Sequence, residues 1–320
     1  LERQEQAVLL INRRGFASSI FCPHCKHRLE CPNCHVSLVF HSALGQVRCH
    51  YCRHRVELPN ACPNPSCRSP LVTVGSGTQR VESVLGQRFP AARIARADSD
   101  TMLSTPKYQR LIDDFEARKI DVVVGTQMIA KGLDFPFVSF VGVIHADLAL
   151  SVPDFRAGER LFQLITQVAG RAGRRDRPGE VVVQTTAVDL PALQAAVQQD
   201  FALFAAAELG IRERVRFPPY TRLTRFVLAD AQEARAREEA SRLADRIGEA
   251  IATRSVQGAD VLGPQPCILR RLRKLYRYDL LLRASTPILM RDLLDHLRAH
   301  RVLRARVKSF VIDVDAISLV

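Results

Sequence analysis

Cys22-Pro-His-Cys25, Cys31-Pro-Asn-Cys34, Cys49-His-Tyr-Cys52 and Cys62-Pro-Asn-Pro-Ser-Cys67 hold eight of the nine cysteines of a 320-residue chain. Two residues separate the sulfurs in three of the pairs and four in the last. Knuckles of this kind turn both thiolates toward one metal while the amides of the turn point at the sulfurs. The spacing therefore predicts two zinc ions per chain, each tetrahedral and each held by four cysteines. A disulfide cluster would use the same residues, but no stretch reads as a secretory leader, no apolar run is long enough to span a bilayer, and the flanking segments read as cytoplasmic domains. With every ligand position filled by sulfur, water has no open site, and the expected role is structural. His24, His27, His35, His41, His50 and His54 share the stretch and read as bystanders or phosphate donors. Spacing alone leaves open which pairs share an ion.

The rest of the composition points outward to a polyanion. A net charge of +13 and a pI near 9.8 favour nucleic acid, and a membrane surface fits less well because no stretch joins a basic face to a strongly apolar one. A hydrophobic content of 47% supports the cores of two or three domains. The chain opens at Leu1 in a polar stretch, which suggests an incomplete N-terminus.

Ahead of the cysteines, Ala7-Val-Leu-Leu-Ile-Asn12 reads as a buried parallel strand, followed by Asn12-Arg-Arg-Gly15 and a short run to Phe21. Leu71-Val-Thr-Val-Gly75 is expected to resume that domain, with the cysteine module inserted between. From residue 71 to about 187, strands and helices alternate, with Leu111, Ile112 and Phe115 on one helix face. Such alternation predicts an α/β fold with a mostly parallel sheet covered on both faces, its ligands collecting at the carboxyl ends of the strands. Leu190 to Leu209 reads as an alanine-rich helical stretch that ends this domain and packs on it. Beyond Phe217-Pro-Pro-Tyr220, the order strand, helix, strand, strand, helix, strand predicts a ferredoxin-like α+β domain. The expected domains are 1–21 with 68–210, 22–67, and 211–320.

Three polar motifs punctuate the alternating region. Gly75-Ser-Gly-Thr78 is a strand-to-helix turn that serves equally as a phosphate cradle or as a plain turn capped by Thr78. Gly125-Thr126-Gln127-Met-Ile-Ala-Lys131-Gly-Leu-Asp134-Phe-Pro packs a hydroxyl, an amide, a lysine and a carboxylate into one turn, which an ordinary loop has little reason to carry. In Gln167-Val-Ala-Gly170-Arg171-Ala-Gly-Arg174, small residues allow close helix packing, and two arginines three apart reach out together as donors to phosphate oxygens.

The last two segments resemble motifs V and VI of superfamily 2 helicases. Together with the four cysteine pairs, Asn12-Arg-Arg-Gly15, Gly77-Thr78-Gln79, Asp98-x-Asp100-Thr101, Asp154-Phe-Arg-x-x-Glu159-Arg160, Phe217-Pro-Pro-Tyr220, Leu262-Gly-Pro264 and Ile312-Asp-Val-Asp315, they resemble the C-terminal half of the bacterial primosomal replication-restart helicases along nearly the whole chain. The resemblance implies a RecA-like second motor lobe carrying a binuclear zinc insertion. It implies nested ligand sets, Cys22, Cys25, Cys62 and Cys67 on one ion and Cys31, Cys34, Cys49 and Cys52 on the other. The last pair is more widely spaced here than is usual in that family. By the same resemblance, Arg171 and Arg174 face the γ-phosphate of ATP with Mg2+, one as arginine finger, and Gln167 positions it. Gly125, Thr126, Gln127 and Lys131 couple that site to DNA, while Asp134 and Gly170 stand near the nucleotide. No Gly-Lys-Ser or Gly-Lys-Thr loop and no Asp-Glu pair occurs in the sequence, so ATP turnover is expected to need a first lobe upstream of Leu1. Forked or single-stranded DNA, primosome proteins and a single-strand-binding protein are the implied partners.

Arg270, Arg271, Arg273, Lys274, Tyr276 and Arg277 form the strongest basic run in the chain. Cations interleaved with tyrosines suit a nucleic-acid backbone with stacked bases, and a charged hairpin serving solubility is the plainer alternative. Two further readings stay open: a non-catalytic zinc-bearing DNA and partner-binding module, and a zinc ribbon of the transcription or RNA-processing type. The latter leaves Gln167 to Arg174 without a use.

Overall fold

A computed structural model of the chain describes residues 5–11, 19–25, 27, 29–33, 38–41, 46–48, 54–74, 77–98, 105–126, 129, 137–146, 154–170, 172, 179–185 and 188–319. In chain order, β1 (Gln6–Ile11) is followed by β2 (Ser19–Phe21), β3 (Val39–His41), β4 (Gln46–Arg48), β5 (Arg55–Glu57) and β6 (Val72–Val74). Alternation then begins with α1 (Gly77–Arg88), β7 (Ile94–Ala97), α2 (Thr105–Glu116), β8 (Val122–Gly125), β9 (Val138–Ile144), α3 (Ala157–Ala169) and β10 (Glu180–Val183). Two helices, α4 (Pro191–Val197) and α5 (Phe201–Val215), lead to β11 (Arg222–Asp230), α6 (Glu233–Thr253), β12 (Ala259–Leu272), β13 (Leu275–Ala284), α7 (Pro287–Ala299) and β14 (Ser309–Val314).

The alternating region closes around a five-stranded sheet of order β10-β9-β1-β8-β7 in which every neighbouring pair is parallel. Side chains of successive strand residues point to opposite faces, so β1 feeds two cores at once. Val8 and Leu10 join Leu111, Ile112 and Phe115 of α2 and Leu161, Phe162, Leu164, Ile165 and Val168 of α3. Ile11 faces the other way, beside Val122, Val124 and, from α1, Val81 and Leu85. Both faces are therefore covered, which is why β1 and β8 read as nearly continuous apolar runs.

The insertion builds its own antiparallel sheet of order β5-β4-β3-β2-β6 around Ile20, Leu29, Cys31, Leu38 and Val47. Here one expectation is corrected. The Leu71–Val74 stretch does not rejoin the parallel sheet; β6 pairs antiparallel with β2, Ser19 opposite Val74 and Phe21 opposite Val72. Both sides of β1 are already taken by β8 and β9, and Ile20 is fully buried in the insertion's own core.

The last domain has strand order β12-β13-β11-β14, antiparallel throughout. Residues of α6 and α7 pack with Phe226, Leu228, Leu280 and Leu282 of the sheet, giving the ferredoxin-like plan. Two local details are finer than the expected order of elements. The stretch from Leu190 to Leu209 divides into α4 and α5, because Gln199 takes φ +54° and Asp200 caps a new helix by accepting from the Leu203 amide at 2.9 Å. Strand β12 runs through Gly263-Pro264: the ladder shifts register after Leu262 and resumes at Gln265 opposite Asp279, so the dipeptide interrupts it without ending it.

Candidate zinc centre and motor-site residues

Cys22, Cys25, Cys62 and Cys67 converge, their four sulfurs all within 4.8 Å of one another. Cys22 and Cys67 lie 3.5 Å apart, as do Cys25 and Cys62. Four thiolates around one tetrahedral zinc stand about 3.8 Å apart, given Zn–S bonds of about 2.3 Å. The donor set therefore fits zinc, a soft all-sulfur tetrahedron without a position for water.

The stem of the insertion makes this convergence possible. Cys22 follows β2 directly, and its amide donates to the His27 carbonyl at 2.8 Å. The four residues between Cys62 and Cys67 coil into a turn in which Asn64 accepts from the Cys67 amide at 3.0 Å through its carbonyl and from the Ser66 amide at 3.2 Å through Oδ1. The longer spacing thus returns Cys67 to its place beside Cys22. The His27 amide draws the Cys25 thiol below its ordinary value. The hydroxyl and amide of Ser69 hold Cys67 down to about 6, while burial pushes Cys62 up to about 12. A bound cation removes that disparity by stabilising all four thiolates together. His24 borders the cluster, its Nδ1 3.6 Å from the Cys67 sulfur.

Of the second cysteine set, Cys31 lies buried in the insertion's core, with the Asn33 amide donating to its sulfur at 3.4 Å. Cys34, Cys49 and Cys52 lie outside the described residues.

In the parallel-sheet lobe, Gly125 closes β8 at the carboxyl edge of the sheet. A Cβ there would stand 2.2 Å from Ile129 Cδ1 and 2.4 Å from the Ala97 carbonyl oxygen, so only glycine permits the turn. The Thr126 amide donates to Ala97 at 3.3 Å, and the Thr126 carbonyl accepts from the Ile129 amide at 3.0 Å. Gln167 occupies the last turn of α3 and is exposed beside Thr166 in a groove of about 450 Å3 lined also by Phe162, Phe201 and Leu209. Gly170 follows as the helix's C-cap, its amide donating to the Thr166 carbonyl at 3.1 Å. Gln127, Lys131, Asp134, Arg171 and Arg174 lie outside the described residues. In the first polar motif, the Thr78 hydroxyl donates to the buried Asp98 carboxylate at 2.6 Å, which ties the start of α1 to the end of β7.

The basic run turns out to be a hairpin tip. Arg273 and Lys274 form a two-residue turn, both at positive φ (51° and 70°), between β12 and β13. This tip rests on the insertion: the Lys274 amide donates to the Asn33 carbonyl and Arg271 to the Pro32 carbonyl, each at 2.7 Å. Leu272 packs against the insertion's core. The Arg271 guanidinium lies 4.8 Å over the Tyr276 ring, and Arg270 pairs with Glu233 at 2.6 Å. Arg277 is half-buried.

One constellation entered the sequence reading only as part of a resemblance, without a role of its own. Asp154, its carboxylate fully buried, precedes α3 and gathers donors from both sides of a domain joint. The available signal was an aspartate just before an apolar-periodic run, a helix-start mark.

Taken together, a covered parallel sheet with a glycine turn at a strand's carboxyl edge and an inserted four-thiol centre define an α/β lobe joined to a zinc-binding module. Family models agree: "Helicase conserved C-terminal domain" matches residues 69–176, "PriA DNA helicase Cys-rich region (CRR) domain" residues 31–56, and "Primosomal protein N C-terminal domain" residues 213–317. The chain belongs to the PriA family of replication restart proteins. Among proteins named Replication restart protein PriA, that of Treponema pallidum is 42% identical over 92% of this chain and 44% of its own length. Those of Chlamydia pneumoniae and Bacillus subtilis are each 36% identical over 98% of this chain, covering 42% and 38% of their own lengths. The chain thus spans about two fifths of these relatives. Among solved structures, the Pyrococcus furiosus Hef helicase domain is similar at 14% identity and a TM-score of 0.30, over 62% of this chain and 25% of that one. No helix among the described residues is long and apolar enough to cross a membrane.

Proposed function

We propose that this chain is the second motor lobe, zinc module and C-terminal domain of an ATP-driven 3′→5′ DNA helicase, which recognises stalled or abandoned replication forks and starts primosome assembly in the cytoplasm. The observation that carries the reading is the match to the helicase and cysteine-rich models within one chain, on a lobe whose sheet carries the Gly125 turn. Two zinc ions hold the insertion, the one on Cys22, Cys25, Cys62 and Cys67 and a second on Cys31, Cys34, Cys49 and Cys52. Their part is to fix the path of the backbone. ATP with Mg2+ binds against a first lobe; Arg171 and Arg174 stabilise the charge that develops on the transferring phosphoryl group, and Gln167 orients one of them. Gly125, Thr126, Gln127 and Lys131 pass the state of that site to DNA, with Asp134 and Gly170 beside the nucleotide. Arg273, Lys274 and Arg277 present positive charge to the DNA backbone. Primosome proteins and a single-strand-binding protein are its partners.

The test is Arg174→Ala in the full-length polypeptide. DNA-stimulated ATP hydrolysis is expected to fall by about a thousandfold, the scale of a lost arginine finger, while DNA affinity stays within about twofold. An equal loss of DNA binding sinks the assignment of Arg174 to phosphoryl transfer.

A further inference from the structure

The joint between the C-terminal domain and α3 combines a polar centre with an apolar surround. Asp154 Oδ1 accepts from the Arg156 amide at 2.9 Å. Its Oδ2 accepts from Arg160 at 2.9 Å, from the Ser318 hydroxyl at 2.8 Å and from the Leu319 amide at 3.2 Å. Arg160 also donates to Ser318 at 3.2 Å, and Arg156 to the Ile317 carbonyl at 3.4 Å. Around this polar centre Phe155 stacks on Phe217 at 5.4 Å. Both rings, with Leu319, pack against Leu223, Leu281 and Ala316. Arg212 braces the far side, donating to Glu159 at 3.0 Å and to Glu208 at 2.9 Å.

The Ser318 hydroxyl and the Leu319 amide both end on Asp154, three residues ahead of the first residue of α3. That helix is stiffly held, with Leu161, Phe162, Leu164, Ile165 and Val168 buried against the sheet. About 15 Å further along its axis, at 1.5 Å per residue, it delivers Gln167 and passes directly into the segment of Arg171 and Arg174. A rotation or slide imposed at one end of a packed helix reappears at the other, because such an element has few intermediate arrangements.

We propose that Asp154 is a positioning residue: with Ser318 and Leu319 it clamps the start of α3, so that the C-terminal domain sets where Gln167 and the following arginines stand. The C-terminal domain then governs phosphoryl transfer without touching nucleotide. This control of turnover rests on the helicase reading; the clamp itself does not.

The experiment uses the full-length polypeptide carrying Ser318→Ala and Leu319→Pro. The first change removes a hydroxyl donor and the second an amide donor, and both substituted residues belong to the C-terminal domain. Amide hydrogen exchange within residues 157–169 is expected to quicken about tenfold, with exchange in α6 and α7 unchanged. DNA-stimulated kcat is expected to fall about tenfold at unchanged KM for ATP, the size of a typical intersite coupling. Asp154→Asn, which keeps an acceptor but loses the charge, is expected to fall between wild type and the double variant on both readouts. Wild-type exchange in α3 overturns the clamp; quickened exchange with undiminished kcat overturns its control of turnover. Absence of ATP hydrolysis in the wild-type protein overturns the helicase reading and with it the control of turnover, while the exchange measurement still decides the clamp.

Discussion

The C-terminal domain meets the rest of the chain at two joints of opposite construction. At α3 the contact is made by side chains, the Asp154 carboxylate with Arg160 and Ser318 and the stacked rings of Phe155 and Phe217. At the insertion it is made largely to backbone, the carbonyls of Pro32 and Asn33 receiving the hairpin tip. A joint to carbonyls does not depend on which residues fill the knuckle, but it requires the backbone to follow one path. With the proposed second zinc on Cys31, metal fixes that path. A joint to a carboxylate tolerates backbone adjustment but depends on a few named residues and on their protonation. One joint should therefore answer to zinc and the other to acid.

Zinc removal is the strongest way to break the comparison. With a chelator in excess over the full-length polypeptide, the Lys274 amide should lose protection from exchange by about a hundredfold or more, since structural zinc supplies folding free energy to small modules. Protection within residues 157–169 should stay within about threefold. Cys22→Ser should lower the bound metal by about one zinc per chain. Equal loosening of the two joints on chelation, or an unchanged Lys274 amide, removes the distinction.

Acid should act on the other joint. Burial alone would raise the Asp154 carboxyl, but the Arg156 amide, Ser318, the Leu319 amide and Arg160 outweigh it and hold Asp154 below its ordinary 3.8. A carboxyl depressed in the folded state contributes stability in full above its unfolded value and loses it as pH falls through the folded one. The contribution of Asp154, about 1–2 kcal/mol for a buried charge-assisted network, is therefore present from pH 5 upward and fades below about pH 4. Glu159, held low by Arg156 and also by Arg212, titrates in the same window. The informative quantity is the difference in urea midpoint between wild type and Asp154→Asn, which should be largest near neutral pH and shrink progressively as pH falls below 3.8. A difference independent of pH places the effect in packing instead of charge.

These two joints also mark the limit of what the sequence made legible. Alternating apolar runs such as Val122–Val124 and the triplet Leu111, Ile112, Phe115 announced the covered parallel sheet, because burial on both faces leaves its pattern in every residue. Cysteine spacing announced a metal for the same reason, since the ligand chemistry is local. The pairing of β6 with β2 was not legible, because a short apolar run fits either sheet. Nor was Asp154's part, whose partners Ser318 and Leu319 lie more than 160 residues away. The hairpin tip was read from its charge alone, and the contacts that place it, Lys274 to Asn33 and Arg271 to Pro32, use carbonyls that every residue carries.

That last point gives the smallest effect and the sharpest cut, for it separates the tip's structural use from any use on nucleic acid. Lys274 takes φ +70° and Arg273 φ +51°, a two-residue turn for which asparagine and glycine are the easy residues. Lys274→Gly keeps the amide that donates to Asn33 and relieves a left-handed conformation, so the fold should gain about 0.5–1 kcal/mol. The same change deletes one cation. If Lys274 meets a phosphate, DNA affinity should fall severalfold at low salt, and the slope of log affinity against log salt should shrink by about one counterion. A stabilised protein with an unchanged salt slope assigns Lys274 to the joint alone and leaves Arg273 and Arg277 to carry the basic surface. A weakened fold contradicts the turn geometry itself, because nothing but the backbone of residue 274 is asked to hold that contact.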